Sequence, residues 1–285
     1  MKKFALLLTM IMLLSLSMIG CGPKEPIDDT PGKRKIKDTV TVCLNAEPAG
    51  ADPQQTYQTN AFAIQFQIYE TLFSMENGQP QPRLATSWEQ LDELTVRVHL
   101  RDDVTFHNGE KMTAEDVRFT VERLTTVANS AAQYYFLDAE KTAVVDEYTV
   151  DIVTTEPVGA FFTYFSMSRA GIVSKVEVEK LGDDAANRKP CGTGPFEFVE
   201  WRNGEQVILK RYENYWGDKP AYTNLIFKFV AESASRAIEI ETGNADIAYN
   251  PDTTDVLRYM NDDKVAVYTT PSWGGFSLYL NASGT

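Results

Sequence analysis

The chain has 285 residues, is 43% hydrophobic, and carries 27 Lys+Arg against 40 Asp+Glu, for a formal net charge of -13. That much apolar material builds a sizeable core and excludes disorder as the main state. The acid excess repels phosphate backbones and argues against nucleic acid as a partner. Three cysteines are too few for a disulfide scaffold, and two histidines leave little room for a multi-histidine metal site.

Lys2 and Lys3 precede an apolar run from Phe4 to Ile19, broken by Thr9, Ser15 and Ser17. A basic start, an apolar stretch and a small residue before the cut predict a secretory signal over residues 1–20. The run sits at the short limit for a membrane span, which needs about 20 apolar residues. Met18-Ile19-Gly20-Cys21 resembles the bacterial lipobox, with Met18 where Leu is usual. The resemblance implies that Cys21 is acylated and becomes the mature N-terminus. Residues 22–36 are polar, rich in Gly, Pro and Lys, and read as a tether that lets a globular body stand off the membrane. Cys43 and Cys191 remain; an exported compartment permits a bridge, and two separate buried thiols are the alternative.

The body reads as mixed α/β. Thr39 to Leu44 is a β-branched strand, and Asp52-Pro53 marks a turn. Asn60 is a plausible N-cap for a helix carrying Ile64, Ile68 and Leu72 at helical spacing, and Gly78-Gln79-Pro80 ends that unit. Leu94, Val96, Val98 and Leu100 alternate with polar residues, which predicts a half-buried strand with His99 on its solvated face. Thr113 to Asp116 opens a helix as a capping box, with Val117, Val121 and Leu124 on one face. Tyr148, Val150 and Ile152 alternate again. Gly192-Thr193-Gly194-Pro195 is a turn before Phe196 and Phe198, and Arg202 to Glu205 is a hairpin signal. Leu225, Phe227 and Phe229, interleaved with Ile226, Lys228 and Val230, suit a strand buried on both faces. Ala234, Ala237, Ile238 and Glu241 share a short helix that Gly243 stops.

No nucleophile elbow, P-loop, H-E-x-x-H or C-x-x-C is present. The carboxylate pairs read as solvated surface. No cofactor, metal or catalytic residue is assigned.

Several blocks follow one another in a fixed order. They are Asp52-Pro53, Tyr69-Glu70-Thr71-Leu72, Pro82 to Glu89, His99-Leu100-Arg101, Val104 to Glu110, Thr113 to Val117, Gly192 to Phe196 and Tyr212 to Gly217. Together they closely resemble the family 5 extracellular solute-binding proteins, the peptide, nickel and oligosaccharide receptors of ABC importers. Two departures are small: a short Asp92-Glu93-Leu94 loop, and Cys191 in place of an ordinary apolar residue. The resemblance implies a type II periplasmic-binding-protein-like α/β fold, two lobes closing on a ligand, with a subdomain inserted in the first lobe. By that reading residues 37–69 and 187–275 form the core of the first lobe, and residues 70–186 the insertion. Residues 276–285 are then a hinge strand toward a second lobe that is largely missing from this sequence. Such relatives run to about twice this length. In peptide-binding relatives the missing lobe supplies an aspartate for the ligand's amino terminus.

By the same resemblance, the segment after the Asp-Pro turn, Tyr57-Gln58-Thr59, touches the backbone of a peptide ligand; a plain polar loop is the alternative. Trp273 and Tyr279 near the hinge suit a cleft wall, against the alternative of Trp273 packed inside the lobe. Trp88 and Phe106 read as packing residues. The expected function is a lipid-anchored receptor outside the cell membrane that captures a peptide or similar solute and delivers it to ABC permease subunits. A surface lipoprotein that senses peptides or adheres, and an exported hydrolase, are the alternatives.

Overall fold

The computed structural model describes residues 37–260 and 265–269. Its first strand is β1 (Thr39–Leu44), as the β-branched run predicts. The Asp52 turn is closed by its own carboxylate, which accepts from the Gln54 and Gln55 amides at 2.9 and 3.1 Å. Helix α1 (Thr59–Ile68) follows. Its N-cap is Gln58, whose carbonyl accepts from Ala61 N at 2.9 Å, and not Asn60. Asn60 lies within the first turn and donates Nδ2 to Ala46 O at 2.8 Å. Extended backbone at Tyr69 ends α1, so Leu72 is buried beyond the helix and not on it.

The expected unit end at Gly78 is a hairpin turn. It joins β2 (Phe73–Glu76) to β3 (Gln79–Pro82). Asn77 and Gly78 both take left-handed backbone, with φ 51 and 76°. Two such residues match the right-handed twist of the flanking strands.

Next come β4 (Ala85–Gln90), β5 (Thr95–Leu100), α2 (Ala114–Thr126) and α3 (Ala128–Ala131). The Asp116 carboxylate accepts from Thr113 N and Oγ1 at 3.0 and 3.2 Å, which closes the predicted capping box around an Asp. Strands β6 (Ala143–Asp146) and β7 (Thr149–Val153) complete an antiparallel sheet in the order β4-β5-β7-β6. Val96, Val98 and Leu100 are buried in it, and the His99 side chain stays on the solvated side. Trp88 packs on Phe73 and Phe162 at ring distances of 5.2 and 5.1 Å, and Phe106 is buried in the same core.

Short helices α4 (Phe161–Tyr164), α5 (Lys175–Leu181) and α6 (Asp183–Arg188) lead back to the first strand's sheet, with a 3-10 turn at Ser168–Ala170. That sheet is completed by β8 (Phe196–Arg202), β9 (Gln206–Arg211), β10 (Asn224–Phe229) and β11 (Ile247–Ala248). The order is β11-β1-β10-β9-β8, with β1 parallel to both neighbours and β9 antiparallel to both of its own. Ile64 and Ile68 of α1 pack into the core of this sheet with Leu209, Leu225 and Phe227. Strand β10 is buried fully on one face only. Leu225 and Phe227 face the core, while Lys228 turns to Glu239 of α7 (Ser233–Glu241) at 2.8 Å. Helix α8 (Thr253–Tyr259) is the last helix among the described residues. Cys43 and Cys191 are free thiols, one fully buried and one half-buried. Burial pushes the Cys191 thiol up to about 11.

The turn at residues 192–194 presses on the end of α1. Gly194 N donates to Ile68 O at 2.8 Å. A Cβ built on Gly192 would lie 2.1 Å from that same carbonyl. His107 clamps the turn from the other side. Its Nδ1 accepts from Gly192 N at 3.3 Å, and its Nε2 stands 2.9 Å from Gly194 O. One nitrogen accepts and the other donates, which requires a neutral ring. Burial lowers this histidine from 6.5 to about 4.

Two outcomes follow. Gly192→Ala forces the turn off Ile68 and costs about 2–3 kcal/mol in denaturant unfolding. Between pH 6.5 and 4 the unfolded chain protonates His107 and the folded chain does not. Stability therefore falls as pH drops through that window. In melts from pH 7 to 4, His107→Gln should show a shallower loss than the native chain; an unchanged slope would refute the clamp.

Candidate functional site

The Asp52 turn is anchored far beyond its own neighbourhood, and this fixes the segment that follows it. Arg123 of α2 donates Nη2 to Asp52 Oδ2 at 2.6 Å and Nε to Gln54 Oε1 at 3.2 Å, and it also pairs with Asp183. Gln54 Nε2 reaches the carbonyls of Arg169 and Gly171 at 2.8 and 3.0 Å. Asn187 Oδ1 accepts from Asp52 N and Thr56 Oγ1. Burial alone would lower Arg123, but Asp52 and Asp183 outweigh it and hold the guanidinium above its ordinary value.

On this base Tyr57 stands 55% exposed. Its ring meets Phe62 edge-on at 5.0 Å, and Phe62 meets Phe66 at 6.4 Å. Phe66 is 52% exposed. The three rings form a row along the outer side of α1, opposite the face that Ile64 and Ile68 bury. Exposed aromatic surface of this kind is what small solutes stack on. Gln58 is exposed as well. Its side chain folds back to accept from Ala49 N at 2.9 Å. Thr59 is exposed as the first residue of α1.

The row runs into an open cleft of about 380 Å³ lined by Phe66, Tyr69, Glu70, Ser74, Met75 and Arg83, among others. The floor of the cleft is a buried carboxylate. The Glu70 side chain has 0% exposure. It accepts from Arg83 Nη2 at 3.1 Å, Thr193 Oγ1 at 3.0 Å, Tyr215 OH at 2.9 Å and Trp216 Nε1 at 2.7 Å. Burial, with the Glu70 charge, raises the Tyr215 phenol above its ordinary value. Four sequence blocks thus converge on one side chain, and no feature of the sequence alone signals that convergence.

Tyr57, Gln58 and Thr59 lie together at the start of α1. Cys21, Trp273 and Tyr279 lie outside the described residues. Among the described residues, no group of three or more His, Cys, Asp or Glu side chains is placed to hold a metal ion. Arg169 was not foreseen as part of this surface, yet its guanidinium carbon lies 3.9 Å from the centre of the Tyr57 ring. The one sequence signal is compositional: no acidic residue stands between Glu156 and Glu177.

With this geometry in view, the similarity to known proteins is informative. Residues 79–285 match the family described as bacterial extracellular solute-binding proteins, family 5 Middle. A probable D,D-dipeptide-binding periplasmic protein of Escherichia coli is 28% identical over 258 residues, which is 87% of this chain and 50% of that protein. A solved periplasmic binding protein from Helicobacter pylori, in complex with the peptide STSA, superposes with a TM-score of 0.71 at 26% identity, covering 78% of this chain and 48% of that one. NikZ from Campylobacter jejuni, in complex with Ni(L-His), gives 0.70 at 28% identity, covering 80% and 46%. The chain spans about half the length of the curated relatives it matches.

Glu70→Ala would strip a common acceptor from three neutral donors and an arginine. Leaving buried donors unsatisfied costs about 1–3 kcal/mol for such groups. The expected loss is about 3 kcal/mol in urea unfolding, with a shift in tryptophan emission as Trp216 loses its partner. Glu70→Gln should cost less, because an amide oxygen still accepts from two of the donors.

Proposed function

We propose that this chain, which belongs to the bacterial extracellular solute-binding proteins of family 5, captures a peptide or similar small solute outside the cell membrane for delivery to ABC permease subunits. The type II α/β fold comes with that membership. The observation that carries the reading is the exposed ring row Tyr57–Phe62–Phe66 opening into the cleft over Glu70. Rings along one wall and a few polar groups at its ends suit a solute with apolar side chains and a polar backbone. Tyr57 to Thr59 would contribute backbone groups and a ring face. Capture makes and breaks no covalent bond.

A peptide solute is supported by similarity over most of this chain to the dipeptide-binding relative and the peptide-bound structure. Described residues 37–260 offer one wall of such a site. A surface open on one side buries little of a small ligand, so dissociation constants in the millimolar range are expected. The sequence supports attachment to the membrane through lipid on Cys21, with Trp273 and Tyr279 on the cleft wall.

Thermal melts against di- and tripeptides at millimolar concentration test the capture. A ligand at ten times its Kd stabilises by about 1.4 kcal/mol, a rise of roughly 3–6 °C. A rise with at least one peptide, lost in Phe66→Ser, supports the reading; no rise with any peptide would sink it. Mass spectrometry of protein from native cells should show a diacylglyceryl group on Cys21, and an unmodified Cys21 would refute the anchor.

A further inference from the structure

Three Asn-Gly pairs occur in the chain, at Asn77-Gly78, Asn108-Gly109 and Asn203-Gly204. Such a pair is chemically labile because glycine has no side chain to shield its backbone nitrogen. That nitrogen attacks the side-chain amide carbon of the preceding asparagine and expels ammonia. Water opens the resulting cyclic imide to aspartate or to isoaspartate. By sequence the three pairs are alike, and the fold separates them.

Two of the pairs are held. Gly109 N donates to Phe106 O at 2.9 Å. The Asn108 side chain is tied at both ends: Oδ1 accepts from Glu110 N and Nδ2 donates to Glu110 Oε2, each at 3.1 Å. Gly204 N donates to Glu47 Oε2 at 2.8 Å, and Glu47 also accepts from Trp201 Nε1 at 2.8 Å and Arg188 Nη1 at 3.1 Å. In each case a hydrogen bond must break before the glycine nitrogen attacks. The Glu47 charge further opposes loss of the Gly204 amide proton. Asn77-Gly78 is different. Both residues are exposed at the tip of the β2–β3 hairpin. Among the described residues, neither the Asn77 side chain nor Gly78 N has a hydrogen-bond partner. Apart from its chain neighbours, no heavy atom lies within 4 Å of the place a Gly78 Cβ would take, so the approach is open.

We propose that Asn77 is a site of spontaneous covalent modification, converting to isoaspartate and aspartate while Asn108 and Asn203 stay intact. In the first step a bond forms from Gly78 N to Asn77 Cγ and the bond from Cγ to Nδ2 breaks. The Gly78 amide proton leaves with the departing ammonia. Water then adds to one of the two imide carbonyls and breaks its bond to Gly78 N. Cleavage at Cγ gives aspartate, and cleavage at the main-chain carbonyl gives isoaspartate. Aspartate keeps the backbone and adds a charge. Isoaspartate routes the main chain through the side chain and lengthens a two-residue turn whose left-handed pair, with φ 51 and 76°, matches the strand twist. The register of the hairpin then fails. Strand β2 supplies Ser74 and Met75 to the cleft over Glu70, so the change is transmitted to the cleft wall.

The 285-residue chain is aged at mildly alkaline pH, once folded and once in guanidinium chloride, and the three sites are followed by peptide mapping with mass spectrometry. In the folded chain Asn77 should convert at least about tenfold faster than Asn108 or Asn203, a ratio that corresponds to about 1.4 kcal/mol of activation free energy. In denaturant the three should convert at comparable rates, which assigns the difference to the fold. Glu47→Ala frees Gly204 N and should raise conversion at Asn203 toward that at Asn77. Asn77→Asp should melt with the native chain, and the purified isoaspartate form below it. Conversion at Asn108 or Asn203 as fast as at Asn77 in the folded chain would overturn the assignment. So would an Asn77 that stays intact in the folded chain while all three sites convert in denaturant. An isoaspartate form that melts with the native chain would overturn the effect on the hairpin. Should Glu47→Ala fail to fold, the comparison of the three sites in the native chain still decides.

Discussion

The burial of one carboxylate, Glu70, ties together stretches of chain from residue 70 to residue 216. Moving an ion from water to a protein interior costs several kcal/mol. Glu70 offsets that cost with four donors from three separate stretches: Arg83, Thr193, and the adjacent Tyr215 and Trp216. Each stretch must arrive for the carboxylate to be tolerated, so residues up to 146 positions apart are held to one point. The neighbouring His107 clamp acts on the same turn from the opposite side, and Tyr212 adds a phenol donating to Phe106 O at 2.8 Å. The floor of the cleft is therefore also the joint between the strand β8 end of one sheet and the β2–β3 hairpin.

The second tie, Asp52 with Arg123, does for the surface what Glu70 does for the floor. A turn of six polar or small residues would have little structure by itself. Here its carboxylate caps two amides, its Gln54 reaches the 169–171 backbone, and its Thr56 is bonded to Asn187. Gly50 is required because Asn187 fills the space where a Cβ would stand. The position of Tyr57 thus depends on residues 123, 169 and 187 as much as on its own neighbours.

This division explains what could be read in the sequence. Strand β5 and helix α2 were legible because a period of two and a capping box are local signals. The hairpin at Asn77-Gly78 carried an equally local signal, an Asn-Gly pair, that the reading of Gly78 as a unit end passed over. The start of α1 was misplaced because Asn is a common N-cap, while the tertiary bond from Asn60 to Ala46 claims its side chain. The bond from Ala49 N to the Gln58 side chain is likewise tertiary and carries no local signal. The ordered blocks identified the family without revealing that Glu70, Arg83, Thr193, Tyr215 and Trp216 meet. Convergence is a property of topology, and no spacing rule in one dimension encodes it.

The charge arithmetic gives Arg169 its meaning. The chain carries 40 acidic side chains against 27 basic ones, so an unmatched acid is easily explained and an unmatched buried base is not. Arg123 recruits two carboxylates from 71 and 60 positions away along the chain. Arg236, away from the ring row, is held by three backbone carbonyls, as a cation that only braces a loop would be. Arg169 has a comparable degree of burial, one carbonyl and an aromatic face that is itself open to solvent. A bracing role would leave it more hydrogen bonds to protein than it has. What distinguishes it is its place at the end of an exposed row of rings.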